Sequence, residues 1–478
     1  MTTLTQNRTA VANAEPVIAI VGADIRVSAA ALPFEVFRAL ADHLTFPNPE
    51  RRALERAGRY ALHLPETVQA YWYDGDALVL PRGVGSMLRE LLGDGLVVQD
   101  FTKTQTPVAV SFRGRLRSYQ QRAVTAALRQ RDGVIVGPPG CGKTAMGLAW
   151  VAARRQPALW VVPSIDIMDQ TAGEAEHFLG IKAGRIGAGA WEVGDVLTVA
   201  TVQTLIRHVD KLAGLPFGAV VVDEAHHVPA ATFFDVVSVL PARFRLGLTA
   251  TPERSDGLSR LLPAVMGPVV DTITQDDLEA AGVSVRPTLV WVLTDFTYHG
   301  DQTEYSRLIN ALTTDRKRNE LALALLEREA RAGHVVLALT DRVQHAELLA
   351  AELSARGVTA AALVGNVKAA ERQAILADFR AGKVSVVVAT RLADEGLDVP
   401  ELDRLFLLAP MRASGRVQQR LGRLMRALPD KEPVVFDFRD VNVGVLESQA
   451  RSRWWSVYRH LVAAEHRIGG ADLERQAG

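Results

Sequence analysis

From residue 116 onward the chain alternates short, unbroken apolar runs with longer stretches of helical periodicity. Strands are predicted around Val134, at Ala158–Val162, at Val196–Ala200, at Ala219–Val222 and at Phe244–Leu248. These runs lack the in-out alternation of a one-sided sheet. They suit parallel strands covered on both faces, with helices in the crossovers. A second block of the same kind runs from about Val285 to Asp440. Its predicted strands are Val335–Leu339, Ala360–Val364, Val384–Ala389, Arg404–Leu408 and Pro433–Phe436. The join between the blocks, Thr272 to Asp315, reads as polar. Residues 16–109 follow another pattern. Val17–Val21 reads as a strand, Pro33–His43 as an amphipathic helix and Val84–Leu92 as a second helix. Tyr71–Leu80 reads as a hairpin turned at Asp74-Gly75. The expected organisation is a disordered tail (1–15), a small α+β domain (16–109), two α/β domains (110–283 and 284–440) and a C-terminal helix (441–478). That helix holds Trp454, Trp455 and Tyr458, which are expected to pack against the body.

Composition narrows the function classes. The chain has 478 residues, 48% of them hydrophobic, and a formal net charge of +0. Large cores are expected, and a uniformly basic nucleic-acid coat is excluded; positive charge must act locally. No apolar run is long enough to span a bilayer, and Met1–Glu15 has no signal-peptide core. A soluble, cytoplasmic protein with no membrane partner is expected. Cys141 is the only cysteine, so disulfide scaffolds and cysteine metal sites are excluded.

The strongest chemical signal is Gly137-Pro138-Pro139-Gly140-Cys141-Gly142-Lys143-Thr144, which fits G-x-x-x-x-G-K-[ST]. A loop of this spacing turns its backbone N–H groups inward around a polyphosphate. Lys143 then reaches the β- and γ-phosphates, and the Thr144 hydroxyl can ligate Mg²⁺. The context is right, with a buried strand before the loop and a helix after it. Asp223-Glu224-Ala225-His226 follows the strand Ala219–Val222. At that position Asp223 is expected to hold Mg²⁺ and Glu224 to polarise the attacking water. Thr249-Ala250-Thr251-Pro252 follows the next strand and offers hydroxyls to those carboxylates. Arg117-Ser118-Tyr119-Gln120 lies upstream, where Gln120 can read an adenine edge as donor and acceptor.

The second block has no phosphate loop. It carries Glu395-Gly396-Leu397-Asp398 and the run Gln419 to Arg426. Arg423 and Arg426 are spaced to share one face of a helical turn. Arginines of this kind stabilise a transferring phosphoryl group; a solvated basic helix face is the other reading.

The order of these motifs resembles superfamily 2 helicases of the DEAH type, in the branch of XPB-like helicases and their bacterial and phage relatives. The likeness rests on Leu248 to Gly257, on Ala389 to Pro400 and on Ser414 to Arg426, and covers about Leu116 to His460. It implies two tandem RecA-like P-loop domains, ATP with Mg²⁺ in the cleft between them, and a nucleic-acid strand across their tops. By motif it makes Gln419, Arg423 and Arg426 catalytic, and adds Gly396 and Asp398 to Arg117, Gln120 and the loop as nucleotide-binding residues. It assigns nucleic-acid contacts to Pro163, Ser164, Thr201, Gln203, Thr340 and Thr390. It implies an ATP-dependent DNA helicase or translocase moving 3′ to 5′ on single-stranded, forked or duplex DNA in repair, recombination or replication. A nuclease, repair or defence partner fits the same picture. An RNA helicase and a non-unwinding motor of a restriction complex are the rivals. Ser118 stands where the family often has proline, and Thr171 where tryptophan is frequent.

Tyr71, Trp72 and Tyr73 in the N-terminal domain admit two readings: stacking on bases, or packing. All the chemical motifs lie beyond this domain. Its removal is therefore expected to leave ATP hydrolysis intact.

Overall fold

The computed structural model describes residues 16–56, 60–223, 235–250, 261–302, 304–390, 399–410, 417, 420–422 and 424–469. The chain divides into two compact units, Met1–Thr274 and Gln275–Gly478. The second begins at Gln275, upstream of the boundary at 284 that the sequence suggests.

In the first unit a five-stranded sheet precedes the motor. Its order is Trp72–Asp74, Ala77–Leu80, Ile25–Ser28, Val17–Val21, Leu96–Asp100. Alternation fixes its faces: Val17 and Ala19 are buried while Ile18 and Ile20 are exposed. The helices Phe34–Leu44 and Gly85–Leu92 contribute Val36, Leu40, Leu44, Leu88 and Leu92 to the core on the buried side. The predicted hairpin forms. Gly75, at φ 59°, supplies a backbone conformation that only glycine adopts freely.

The motor part of this unit is an eight-stranded sheet. Its order is Ala190–Glu192, Gly184–Gly187, Leu197–Thr201, Ala158–Val162, Ala219–Asp223, Phe244–Thr249, Asp132–Val136, Val269–Thr272. Every neighbouring pair is parallel except the edge hairpin Gly184–Gly187 with Ala190–Glu192. Ala158–Val162 and Ala219–Asp223 are buried along their whole length, as two-sided cover requires.

The second unit is built on seven strands, all parallel. Their order is Ala360–Leu363, Val386–Thr390, Val336–Thr340, Arg404–Leu407, Val434–Asp440, Thr288–Thr294, Ala464–Ile468. Two expectations are corrected here. The supposed polar join contains Thr288–Thr294, an interior strand of this sheet. The tail after Asp440 is more than a helix. Gly444–Arg453 and the π-helical turn Trp454–Tyr458 are followed by the edge strand Ala464–Ile468. Tyr458 is buried and Trp454 packs on the core, as expected, but Trp455 is exposed.

Two aspartates of Val434–Asp440 anchor helices on opposite faces, because residues three apart on a strand point opposite ways. Asp437 accepts from Arg453 Nε and Nη2 at 2.7 and 2.8 Å and from the Tyr458 hydroxyl at 2.7 Å. Asp440 accepts from Arg318 Nε at 2.8 Å and from the Thr294 hydroxyl at 2.6 Å.

Candidate functional site

The phosphate loop lies at the carboxyl end of Asp132–Val136. That is the edge of a parallel sheet where ligands of α/β proteins bind. Gly140 and Gly142 hold φ of 84° and 82° and swing the loop round the start of the helix Lys143–Arg154. A side chain at Gly142 would be strained at this φ, and its Cβ, 2.3 Å from Gln120 Nε2, would push that amide aside. The first turn of the helix has no acidic residue, so its own side chains do not oppose an anion at its positive end. Lys143 Nζ donates to the Gly137 carbonyl at 3.2 Å.

The loop is braced from behind. Gln120 Oε1 accepts from the Arg117 N–H at 2.9 Å, while its Nε2 donates to the Cys141 carbonyl at 2.9 Å. The Tyr119 hydroxyl donates to that same carbonyl at 3.1 Å. Gln120 is thus a loop brace in this structure, with both ends of its amide used by protein. Tyr119 is a member of the site that motif reading passed over, although it adjoins Gln120. Cys141, within the loop, is fully buried.

Three strand ends meet beside the loop. Asp223 is the last residue of its strand, in register with Leu248 of the next. Thr249 ends that next strand in register with Val136, and its carbonyl accepts the Gly137 N–H at 2.9 Å. Asp223 is buried, so its carboxylate is held at the floor of the site. Glu224, Thr251, Gly396, Asp398, Gln419 and Arg423 lie outside the described residues.

The nucleic-acid candidates also fall at carboxyl strand ends. Ser164 caps the helix Ile165–Leu179, accepting from the Ile167 N–H at 3.4 Å. Gln203 Nε2 donates to the Pro163 carbonyl at 2.8 Å, tying two candidates together. In the second unit Thr340 and Thr390 are register neighbours. Thr201, Thr340 and Thr390 are only 4%, 1% and 7% exposed. Thr340 is further restricted. Its hydroxyl lies 2.7 Å from His345 Nδ1, and His345 Nε2 lies 3.0 Å from Asn319 Oδ1. Asn319 Nδ2 donates to the Thr313 carbonyl at 2.9 Å, which fixes Oδ1 as the acceptor. His345 therefore carries its proton on Nε2, and Thr340 must donate to Nδ1. No O–H remains on Thr340 for a phosphate. Burial, with the Arg318 charge nearby, pushes His345 down to about 3.

Arg426 corrects one expectation. The helical residues end at 424, and Arg426 forms an isolated antiparallel bridge with Ser284. It does not continue the helical turn that would align it with Arg423. The Ala427 N–H donates to the Val283 carbonyl at 3.0 Å, so this segment is extended. Lys431 donates to the Pro400 carbonyl at 2.9 Å. Burial lowers Lys431 to about 8; Asp403 opposes that shift and the Arg426 charge adds to it.

Residues 113–254 match the family described as type III restriction enzyme, res subunit, and residues 317–428 match the helicase conserved C-terminal domain. A DNA 3′-5′ translocase XPB2 of Sulfurisphaera tokodaii is 28% identical over 67% of this chain and 81% of its own length. A DNA 3′-5′ helicase XPB of Mycobacterium tuberculosis is 26% identical over 82% of this chain and 73% of its own. The fold is shared with a DNA-bound type ISP restriction-modification enzyme, LlaBIII, at a TM-score of 0.56 and 17% identity. That match covers 76% of this chain and 32% of the other. The chain belongs to the XPB-like branch of superfamily 2 helicases.

This helicase is an ATP-driven enzyme of two RecA-like domains, and the residues at its loop fit the nucleotide. Gly140 and Gly142 take the positive φ values that let the loop turn its N–H groups inward, and the helix end and Lys143 supply positive charge. Among the described residues no group of three His, Cys, Asp or Glu side chains could hold a metal alone. Mg²⁺ would depend on phosphate oxygens together with Thr144 and Asp223. Also among the described residues, no helix is long and apolar enough to cross a membrane. In the N-terminal sheet Tyr71 packs edge-on against Phe37 with ring centroids 6.0 Å apart, while Trp72 and Tyr73 are 37% and 55% exposed.

Proposed function

We propose that the protein is an ATP-dependent DNA helicase or translocase that moves 3′ to 5′ and works at the nucleoid in repair, recombination or replication. The observation that carries this reading is the meeting of the braced phosphate loop, Asp223 and Thr249 at one sheet edge. The printed names of the XPB relatives support both DNA and polarity.

When bound, Mg²⁺-ATP supplies the phosphoryl group whose transfer to water drives the motor. Lys143 would neutralise the β- and γ-phosphates, while Thr144 and Asp223 would hold the metal. Glu224 accepts the proton of the attacking water. Arg423 and Arg426 would stabilise the charge that develops on transfer, with Gln419 sharing the catalytic role and Gly396 and Asp398 contacting the nucleotide. Ser164 and Gln203 lie on the DNA path through the first unit. The buried threonines shape that path more than they touch it. Trp72 and Tyr73 offer faces on which frayed bases stack, each contributing about 1–3 kcal/mol.

ATPase activity measured with no polymer, single-stranded DNA, duplex, forked DNA and RNA in parallel tests the substrate. Stronger stimulation by RNA than by any DNA would replace this reading with an RNA helicase. Strand displacement on tailed duplexes of both polarities tests the direction. ATPase stimulated by DNA with no displacement on either tail would favour a non-unwinding motor, one that works beside a nuclease or another defence subunit.

A further inference from the structure

We infer that the N-terminal α+β domain is an integral part of the first motor domain, folding and unfolding with it as one cooperative unit, and is not a detachable substrate-selecting appendage. Arg82 is the main bolt. A guanidinium has five N–H donors, and here each has an acceptor. Nε donates to Asp132 Oδ2 at 3.2 Å. Nη1 donates to the Gly22 and Ala242 carbonyls at 3.3 and 2.6 Å. Nη2 donates to Asp132 Oδ1 and the Arg243 carbonyl at 2.5 and 2.9 Å. The Arg82 side chain is almost wholly buried.

A second arginine runs the opposite way. Arg245, buried in the motor, donates through Nη2 to the Ala23 carbonyl of the N-terminal domain at 2.7 Å and to the Leu240 carbonyl at 2.8 Å. The main chain joins as well. The Lys103 N–H donates to the Pro241 carbonyl at 2.7 Å, and the Arg243 N–H to the Lys103 carbonyl at 2.9 Å. Asp100 receives Arg131 at 2.5 Å and Arg243 at 3.2 Å. At Gly83 the backbones approach so closely that a Cβ would lie 2.1 Å from the Pro263 carbonyl oxygen.

Apolar packing is continuous across the same seam. One cluster of buried side chains includes Leu80, Val84 and Leu88 from the N-terminal sheet and Leu240, Ala242, Leu262 and Met266 from the motor. Separating the two would open that cluster to water. It would also take from Asp132 both of its bonds to Arg82 and from Arg245 its bond to the Ala23 carbonyl, and breaking a largely buried ion pair is strongly destabilising. Asp132 and Arg245 lie at the amino ends of the strands that finish at Val136 and Thr249. The N-terminal domain therefore grips the amino ends of the strands that carry the nucleotide site at their carboxyl ends.

The test uses the full chain and the variants Arg82→Met, Asp132→Asn and the pair combined. Amide exchange is followed under increasing denaturant, and ATPase survival on heating. Each single variant is expected to reduce the folded-to-unfolded ratio by about 10²–10³-fold. Val17–Val21, Leu96–Asp100 and Asp132–Val136 are expected to lose protection together. The double variant should recover part of the loss, because no charge is left unpaired. ATPase should fall at the temperature where those amides open, with the KM for ATP unchanged below it. The inference is overturned if Val17–Val21 and Leu96–Asp100 open at a lower free energy than Asp132–Val136 while ATPase persists. It is equally overturned if Arg82→Met changes kcat or KM per folded molecule and leaves the joint unfolding where it was.

Discussion

In the first unit the buried arginines Arg82 and Arg245 and the partly buried Asp132 sit at the amino ends of the motor strands, on the seam with the N-terminal sheet. In the second unit the buried carboxylates Asp437 and Asp440 ride within one central strand and pin helices to either face. Both units are built on parallel sheets with apolar interiors. They differ in where polar structure is allowed inside. The first unit uses it to join a foreign sheet and keeps its carboxyl edge for the glycine loop. The second uses it to stiffen itself, and its carboxyl-edge hydroxyl Thr340 is tied into a relay with His345 and Asn319. Similar sheets can thus serve one as a site and the other as a rigid carrier.

The largest expected effect breaks the comparison on the first side. Lys143→Ala should abolish ATP turnover, because the β- and γ-phosphates lose their counter-charge. Glu224→Gln should bind ATP yet fail to hydrolyse it. Nucleotide binding and turnover measured side by side check both. Full turnover in the glutamine variant would remove Glu224 from its role.

On the second side, Arg423→Ala and Arg426→Ala should each bind ATP almost normally and slow hydrolysis by about 10³-fold or more. Arg426 is the sharper case, since its segment is extended and bridged to Ser284. If Arg426→Ala turned over ATP at the normal rate, Arg423 alone would hold the catalytic role.

A smaller effect tests stiffness. Arg318→Met leaves Asp440 buried without its guanidinium, at a cost of about 3–5 kcal/mol. Chemical denaturation should show the second unit's transition moving first. An unchanged transition would mean that Thr294 suffices for Asp440.

The smallest effect is a pH slope. His345 titrates at about 3 when folded, against an ordinary value of 6.5. Below pH 6.5 the unfolded chain binds a proton that the folded chain refuses. Stability should therefore decline as pH falls from 6.5 toward 3, by up to about 1.4 kcal/mol per pH unit from this residue. His345→Gln should flatten that slope in urea titrations between pH 4 and 7 (roughly the window left by the two pKa values). An equal slope in the variant would assign the effect to other groups.

How legible each feature was in sequence follows from how local its cause is. Ala158–Val162 was readable to the residue because five consecutive buried apolar side chains admit little else. Thr288–Thr294 was lost inside a stretch whose flanks are polar, although the strand itself is apolar. Ala464–Ile468 is an edge strand with mostly exposed side chains, so it shows no hydrophobic run. The phosphate loop was legible because its chemistry lies within eight consecutive residues. The brace on Cys141 and the His345 relay were not, since their partners come from separate helices at no fixed spacing. Motif order says nothing of Arg82 reaching Asp132 from fifty residues away.

The chain has a single thiol, and it lies fully buried within the nucleotide loop. The protein thus contains its own clock. A thiol reagent can reach the buried Cys141 only when its surroundings open, so its rate of modification reports such openings at the loop with no label added and no residue changed. Slowing of that rate by a nucleotide would measure, molecule by molecule, how firmly the phosphates hold the loop shut.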